Sequence, residues 1–393
     1  MSSVEKIFKT HQAQTFPFPS CLQIKSAKGS YIIDKDDKEY LDFVAGVSAC
    51  TLGHSNPIII SAIKDQLEKY MHVMVYGEFI QSPQYKLAQL LAENLPLKLN
   101  CTYFTNSGTE AIEGAMKLAK RKTGRSEIIS CKNSYHGSTQ GALSIMGNEK
   151  KKMKYRPLLP NCNQIIFNNI KSLNNITKNT AAVIVEPIQG ATGFILPENN
   201  FLNKIQERCK KVGCLLIFDE IQTCFGRLGS LFALNYYNVI PDILCIAKGM
   251  GGGMPIGAFI SSLESMNLLS HNPQLGHITT FGGHPVNCAS SLATLEYLLS
   301  SNIMQEINAK EILFRKELKH VKIKEIRGKG LMLAIELEKK ELAKRVVEEA
   351  LKKGLILFYF LFTETSIRIS PPLTISNNEI IRGCQIIKEI LDK

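Results

Sequence analysis

No stretch of this sequence approaches the roughly 18 consecutive apolar residues that a membrane-crossing helix needs. The amino-terminal residues, Met1 to Gln14, are polar and carry no hydrophobic segment of the kind found in a secretory signal. Both absences point to the cytoplasm and to no membrane partner. The eleven cysteines are scattered singly, without a Cys-x-x-Cys pair. Cys209 and Cys214 stand closest, one in a polar helical stretch and the other opening an apolar run. That spacing supports neither a disulfide framework nor a zinc site, so the thiols read as small buried fillers and no metal is expected. G-x-x-x-x-G-K-[ST], His-Glu-x-x-His and G-x-S-x-G are all missing, and Gly249-Met250-Gly251-Gly252-Gly253-Met254 lacks the last glycine of G-x-G-x-x-G. P-loop, zinc-protease, serine-hydrolase and dinucleotide chemistry are therefore unsupported.

A net charge of +12 raises the question of nucleic acid. The lysines are spread along the chain, however, and the one dense run, Lys150-Lys151-Lys152 with Lys154, has only Tyr155 beside it. No nucleic-acid partner is expected. A positive field does suit the attraction of anionic small molecules. With 393 residues, 45% hydrophobic and 21% charged, the chain has the composition of a globular protein and length for two or three domains.

What is present is a set of short apolar runs with charged ends. Cys214 to Phe218 stops abruptly at Asp219-Glu220, and Ile243 to Ala247 stops at Lys248 followed by Gly249. Both read as strands buried on both faces of a parallel sheet. Ile128 to Ser130, Gln164 to Phe167 and Ala181 to Val185 are further strand candidates, and Pro197 to Val212 is the clearest helix between them. The alternation predicts an α/β fold, a mostly parallel central sheet covered by helices. Glu186 closes the Ala181 strand as Asp219 and Lys248 close theirs. Isolated buried charge is costly, and the carboxyl edge of such a sheet is where ligands bind. A lysine and an acid at that edge suit pyridoxal phosphate: the lysine bonds to the aldehyde and the acid keeps the ring nitrogen protonated.

Other features fill in the organisation. Gly29 to Asp34 and Glu39 to Phe43 read as a hairpin after an irregular start. Helices are expected from Ile58 to His72, from Ser82 to about Asn94, and from Ser107 to about Lys122. Ser107-Gly108-Thr109-Glu110 fits a capping box whose open N–H groups suit a phosphate, although an ordinary helix cap has the same pattern. Pro285 to Ser300 reads as a helix, Leu331 to Glu336 as a strand, Glu341 to Lys353 as a helix and Leu355 to Phe362 as a strand. Ser376 caps the last helix. The expected domains are an amino-terminal segment over residues 1–50 packing with the small domain, a large cofactor-binding domain over 51–302, and a small α/β domain over 303–393.

The motifs recur in a specific order. They are Leu52-Gly53-His54-Ser55-Asn56-Pro57, Thr105-Asn106-Ser107-Gly108-Thr109-Glu110-Ala111, Tyr135-His136-Gly137, Glu186-Pro187-Ile188-Gln189-Gly190 and Asp219-Glu220-Ile221-Gln222-Thr223. Phe225-Gly226-Arg227, Ala247-Lys248-Gly249, the run Gly252 to Ala258, Thr279-Thr280-Phe281-Gly282-Gly283 and Arg368 complete the set. Together they resemble class III, fold-type I, pyridoxal-phosphate aminotransferases, the group with acetylornithine, ornithine and 4-aminobutyrate aminotransferases. The resemblance covers nearly the whole chain. It implies a homodimer with shared active sites, and ping-pong transfer of an amino group from an amino acid or ω-amine donor to a keto acid.

By that resemblance Lys248 bonds the cofactor and moves the proton, with its pKa lowered by burial, and Asp219 pairs with the ring nitrogen. Gln222 binds the ring's 3′-oxygen, while Ile221 and Tyr135 cover the two ring faces. Ser107, Gly108 and Thr109 hold the phosphate, joined by Thr280 from the neighbouring subunit. Glu186 and Glu220 hold the cofactor-side network, His136 is structural, and Arg227 makes a structural ion pair. Arg368, between apolar residues and two prolines, binds a substrate carboxylate through its planar fork.

Five positions depart from these relatives; Cys224 and Leu228 replace a common glycine and threonine without chemical consequence, and the other three bear on substrate selection. Ser138 stands where an arginine usually meets a distal carboxylate. Ala191 stands where a glutamate usually masks the arginine equivalent to Arg368. Val47 replaces a tyrosine of ornithine aminotransferases. Cofactor residues thus read intact while substrate selection reads altered. Alternatives sharing the cofactor residues are a β-amino acid or amine aminotransferase, an aminomutase, a racemase and a decarboxylase. A catalytically silent cofactor-binding protein is disfavoured by the complete Lys248, Asp219 and Gln222 set.

Overall fold

The computed structural model describes residues 3–75 and 77–393. Near the amino end, β1 (Ile24–Lys28), β2 (Tyr31–Asp34) and β3 (Glu39–Asp42) form an antiparallel meander. A seven-stranded central sheet follows, made of β4 (Cys101–Thr105), β5 (Glu127–Cys131), β6 (Cys162–Ile165), β7 (Thr180–Val185), β8 (Leu215–Asp219), β9 (Ile243–Ile246) and β10 (Gly257–Ser261). Its spatial order is β4-β10-β9-β8-β7-β5-β6, and within it only β10 runs against its neighbours. Toward the carboxyl end come β11 (Ile323–Lys329), β12 (Met332–Leu337), β13 (Leu355–Ile356), β14 (Phe358–Tyr359) and β15 (Ser366–Ile369). Strands β11-β12-β15-β14 make a small antiparallel sheet, while β13 pairs in parallel with β3, Leu355 opposite Leu41.

The central strands are covered on both faces, which is why they lack polar alternation. Every residue of β7, Thr-Ala-Ala-Val-Ile-Val, is buried. Side chains alternate across a strand, so Val183 and Val185 meet Phe201, Leu202 and Ile205 of the helix Phe201–Val212 on one side. Ala182 and Ile184 meet Ile112, Ala115 and Ala119 of the helix Gly108–Thr123 on the other. Each large apolar side chain buried in this way contributes about 1.5–3 kcal/mol before entropy is counted. The helix Phe201–Val212 buries only its Phe201, Leu202, Ile205, Cys209 and Val212 stripe and stops at Gly213, whose φ of 68° reverses the chain. These crossovers leave Glu186, Asp219 and Lys248 at the carboxyl ends of three adjacent strands, β7, β8 and β9.

Several expectations differ from the structure in detail. The amino-terminal residues are not irregular: Ser3–His11 is a helix that buries none of its residues. The helix expected from Ile58 to His72 spans Pro57–Leu67, and the Gln66 side chain bonds the Tyr70 carbonyl (2.9 Å) to close its end. The expected strand at Gln164 to Phe167 lies at Cys162–Ile165. Leu355 to Phe362 is not one strand, because the chain changes sheets at Leu357 between β13 and β14. The helix Ile303–Glu317 and β11 went unread, since both carry charges through their apolar pattern. The eleven cysteines are free. Among the described residues no helix is long and apolar enough to cross a membrane.

Candidate active site

Asp219 ends β8 almost fully buried. Its Oδ1 accepts the Ile221 N–H (3.1 Å), and its Oδ2 lies 2.7 Å from Nδ1 of His136. Burial works against a charged His136, but the hydrogen bond and charge of Asp219 outweigh it and hold the imidazole pKa above its ordinary value. Glu186, after β7, accepts the N–H groups of Tyr135 (3.1 Å) and Gly190 (2.9 Å), so one carboxylate anchors two loops. Burial, opposed by His136 and helped by Asp219, pushes its pKa up to about 7. Lys248 follows β9 with a φ of 46°, a strained value for a lysine. Burial lowers the pKa of its amine; the Asp219 charge opposes this, and the Arg368 charge adds to it.

The start of the helix Gly108–Thr123 lies against the same edge. Ser107 caps it, accepting the Glu110 N–H (3.3 Å), and Glu110 reaches back to the N–H of Asn106 (2.7 Å). This is a capping box displaced by one residue. Gly108 is required by contact: a Cβ there would lie 2.7 Å from Cδ1 of Ile221. The Thr109 hydroxyl shares a hydrogen bond with Thr139 (2.7 Å), which Glu113 holds in turn (2.6 Å). It is turned into the protein, and the open groups of the first turn are backbone N–H donors.

The remaining expected residues gather around this edge. Tyr135 is half-buried, with its hydroxyl 3.2 Å from that of Ser138 and its ring edge-on to Phe362. Ser138 itself is exposed. Gln222 donates to the Ser48 hydroxyl (3.3 Å), and a Cβ on Gly190 would lie 2.6 Å from its Oε1 and 3.1 Å from Oε1 of Glu186. Val47 sits in a turn of four consecutive left-handed residues, Ala45 to Ser48, with φ values of 51°, 60°, 60° and 67°. Such a run costs about 1–3 kcal/mol per non-glycine residue. It is held by Asp42, whose Oδ1 accepts the N–H groups of Val44 (2.7 Å) and Ala45 (3.1 Å) while Oδ2 pairs with His54 (2.8 Å). Two further bonds place the turn: Thr51 donates to the Gly249 carbonyl (3.1 Å), and Ser370 donates to the Val44 carbonyl (3.1 Å). The turn thereby joins the Lys248 edge to the strand that carries Arg368.

Arg368, on β15, is 5% exposed, and its guanidinium lies 4.5 Å from the Phe360 ring centroid and 5.0 Å from that of Phe194. Its Nε and Nη1 have no hydrogen-bond partner among the described residues. Burial lowers its pKa to about 10, opposed by the charge of Glu186. Thr280 is exposed and makes no hydrogen bond to the cluster among the described residues. Its neighbour Thr279 lies in the same loop and accepts from Asn106 (3.3 Å).

Two expected roles change. Glu220 turns away from the ligand edge, accepting the N–H groups of Ala233 and Leu234 (2.8 Å) and the Thr223 hydroxyl (3.1 Å), and so caps the helix Ala233–Tyr237. Arg227 makes no ion pair among the described residues; its Nη1 donates to the carbonyls of Leu331 (3.2 Å) and Pro371. His136, expected to be structural, is the hydrogen-bond partner of Asp219. Ser48, Phe194 and Phe360 went unread, because nothing local marks residues that only the fold brings together.

A buried carboxylate, a buried amine of lowered pKa, a helix start open to an anion and a cation with unpartnered donors fit pyridoxal phosphate and a carboxylate-bearing substrate. Comparison with known proteins agrees. Residues 13–391 match the family described as aminotransferase class-III. An acetylornithine aminotransferase of Bacillus cereus is 37% identical over 98% of this chain and 97% of its own length. A putrescine aminotransferase of Pectobacterium atrosepticum is 37% identical over 92% of this chain and 80% of its own length. The crystal structure of the adenosylmethionine-8-amino-7-oxononanoate aminotransferase of Methanocaldococcus jannaschii superposes with a TM-score of 0.91 at 30% identity, covering 99% of this chain and 98% of that one.

Proposed function

This chain belongs to the class-III aminotransferase family, and from that premise we propose that it transfers an amino group from an amino acid to a keto acid in two half-reactions on pyridoxal phosphate. The observation that carries the reading is the meeting of Lys248, Asp219 and the open start of the helix Gly108–Thr123 at one sheet edge. When bound, pyridoxal phosphate supplies an aldehyde that captures amines and a ring that accepts the electron pair left when a Cα–H bond breaks. Lys248 Nζ would hold that cofactor, and the same amine would carry a proton to and from Cα of a substrate; its lowered pKa leaves more of it neutral for that task. Asp219, backed by His136, would hold positive charge at the ring nitrogen. Backbone donors of Ser107, Gly108 and Thr109 would take the phosphate, Tyr135 and Ile221 would cover the ring faces, and Gln222 would meet the ring oxygen. Glu186 positions the Tyr135 and Gly190 loops around them.

The assembly in this reading is a cytoplasmic homodimer, with Thr280 reaching the partner's phosphate. Residues 51–302 form the cofactor domain and 303–393 the small domain. Residues 1–50 pack on the latter, supported by the β3–β13 pairing.

Substrate choice rests on Arg368, Ser138, Ala191 and Val47. A buried guanidinium with unpartnered donors favours a carboxylate next to the reacting carbon. Exposed Ser138 offers no fork to a second, distal carboxylate, and apolar Val47 offers no hydroxyl to a distal amine. The names of the relatives span an acylated amino acid and a diamine; this geometry suits the acylated amino acid, with a neutral distal end. The test is a panel of amines and amino acids added to the cofactor-loaded protein, followed by loss of its visible absorbance. Acylated diamino acids should bleach it fastest. Efficient turnover of 4-aminobutyrate or free ornithine with 2-oxoglutarate would overturn the substrate assignment.

A further inference from the structure

Arg368 is a buried cation that no carboxylate reaches among the described residues. Ala191, where relatives place a masking glutamate, offers only a methyl group. The neighbours of the guanidinium are aromatic instead. Phe360 and Phe194 lie 4.5 and 5.0 Å from it, and the two rings meet edge to face at a centroid distance of 4.8 Å. Phe194 is fully buried and has a φ of 54°, a conformation rare for a bulky residue. Strain of this kind persists only where the surroundings impose it.

The imposing contacts are present. Gln189 and Ile195 pair as an isolated antiparallel bridge, which closes the loop between them. Glu186 accepts the Gly190 N–H (2.9 Å), and Phe362 donates its N–H to the Ala191 carbonyl (3.0 Å). Arg327 donates to the Gly193 carbonyl (2.9 Å) while paired with Glu336 (2.6 Å). The loop is therefore pinned to the cofactor edge and to the small sheet together, and it presents Phe194 to Arg368.

A ring face attracts a guanidinium through its quadrupole and leaves the N–H edge free, whereas a carboxylate counter-ion would occupy that edge. We propose that Phe360 and Phe194 are positioning residues that hold Arg368 dry and in place without a counter-ion, so that its unpartnered Nε and Nη1 donors are kept for the carboxylate of each substrate in both half-reactions. This rests on the reading of Arg368 as the carboxylate receptor. Its consequence is specific: aromaticity at 360 tunes the affinity for carboxylates and leaves uncharged ligands and the proton-transfer step alone.

The experiment compares binding of pentanoate and of pentanamide to the cofactor-loaded protein by calorimetry. Phe360→Leu should weaken pentanoate binding by about tenfold and leave pentanamide unchanged, and Phe360→Tyr should restore pentanoate to within about twofold. In turnover, Phe360→Leu should raise the KM of a carboxylate-bearing donor and leave kcat near wild type. Equal weakening of both probes, or no change in pentanoate, overturns the proposal. If Phe360→Leu fails to bind cofactor, Phe360→Met takes its place with the same expected split. Arg368→Gln is the separate control. If it keeps the pentanoate preference, the receptor reading of Arg368 falls whatever Phe360 does; if it alone abolishes the preference while Phe360→Leu does not, only the positioning role falls.

Discussion

Around Asp219 the buried acids are matched, and around Arg368 the buried cation is not. Asp219 and Glu186 each accept two hydrogen bonds, and Glu220 beside them accepts three. Arg368, as deeply set, has two unpartnered nitrogens, Nε and Nη1, and two phenyl neighbours. The acids on the matched side have their partners before any ligand arrives, so they can hold a cofactor in one orientation at little further ordering cost. The unmatched side stores binding free energy, because a buried donor without a partner is stabilised by whatever carboxylate supplies one. The same protein thus uses satisfied groups for what stays and an unsatisfied group for what comes and goes.

The contrast breaks most completely at Lys248. Lys248→Ala should abolish turnover and leave the melting temperature near wild type, since the residue follows a strand end and its side chain makes no hydrogen bond among the described residues; loss of folding with loss of activity would count against a purely chemical role. Asp219→Asn comes next. It keeps a hydrogen bond but leaves His136 and the ring nitrogen without their counter-charge, a loss of about 3–5 kcal/mol for a buried charged partner. Steady-state rates should fall on the order of a thousandfold, and near-normal turnover would remove the ring-nitrogen role.

Two substitutions alter the unmatched side. Ser138→Arg adds a second fork and should improve kcat/KM for 2-oxoglutarate by the equivalent of about 1–3 kcal/mol. Ala191→Glu adds the counter-ion that Arg368 lacks. It should raise KM for donors with a carboxylate beside the amino group, and unchanged KM would show that residue 191 does not face the guanidinium.

The smallest effect concerns the strained turn at Ala45 to Ser48. The His54 pKa is raised from 6.5 to about 10, first by its hydrogen bond to Asp42 and then by Cys50. A raised histidine pKa means that the pair's stabilisation is fully present below 6.5 and is lost as pH climbs toward 10. His54→Gln should cost about 1 kcal/mol at pH 6 and flatten that alkaline fall. A wild-type unfolding free energy that stays level across the interval would contradict the pairing.

The matched side was also the legible side. Asp219, Lys248 and Glu186 each terminate a short apolar run, and a charge at the end of a buried strand stands out in one dimension. Ser107 and Gly108 were legible because a helix cap has its own local grammar. His136 lies within a visible motif and reads as structural, but only the fold shows it 2.7 Å from a residue 83 positions away. The surroundings of Arg368 come from two distant segments, around Phe194 and Phe360, neither with a pattern of its own. The division of Leu355 to Phe362 between two sheets was invisible for the same reason: an apolar run does not declare which strand it pairs with.

The central claim, that Lys248 is the covalent anchor of a pyridoxal-phosphate aminotransferase, is tested most directly by chemistry on the intact protein. Cofactor-loaded protein is reduced with borohydride, digested and mapped by mass spectrometry. The pyridoxyl mass should lie on the peptide containing Ala247-Lys248-Gly249 and be absent after reduction of Lys248→Ala. A stoichiometric adduct on any other lysine would contradict the account.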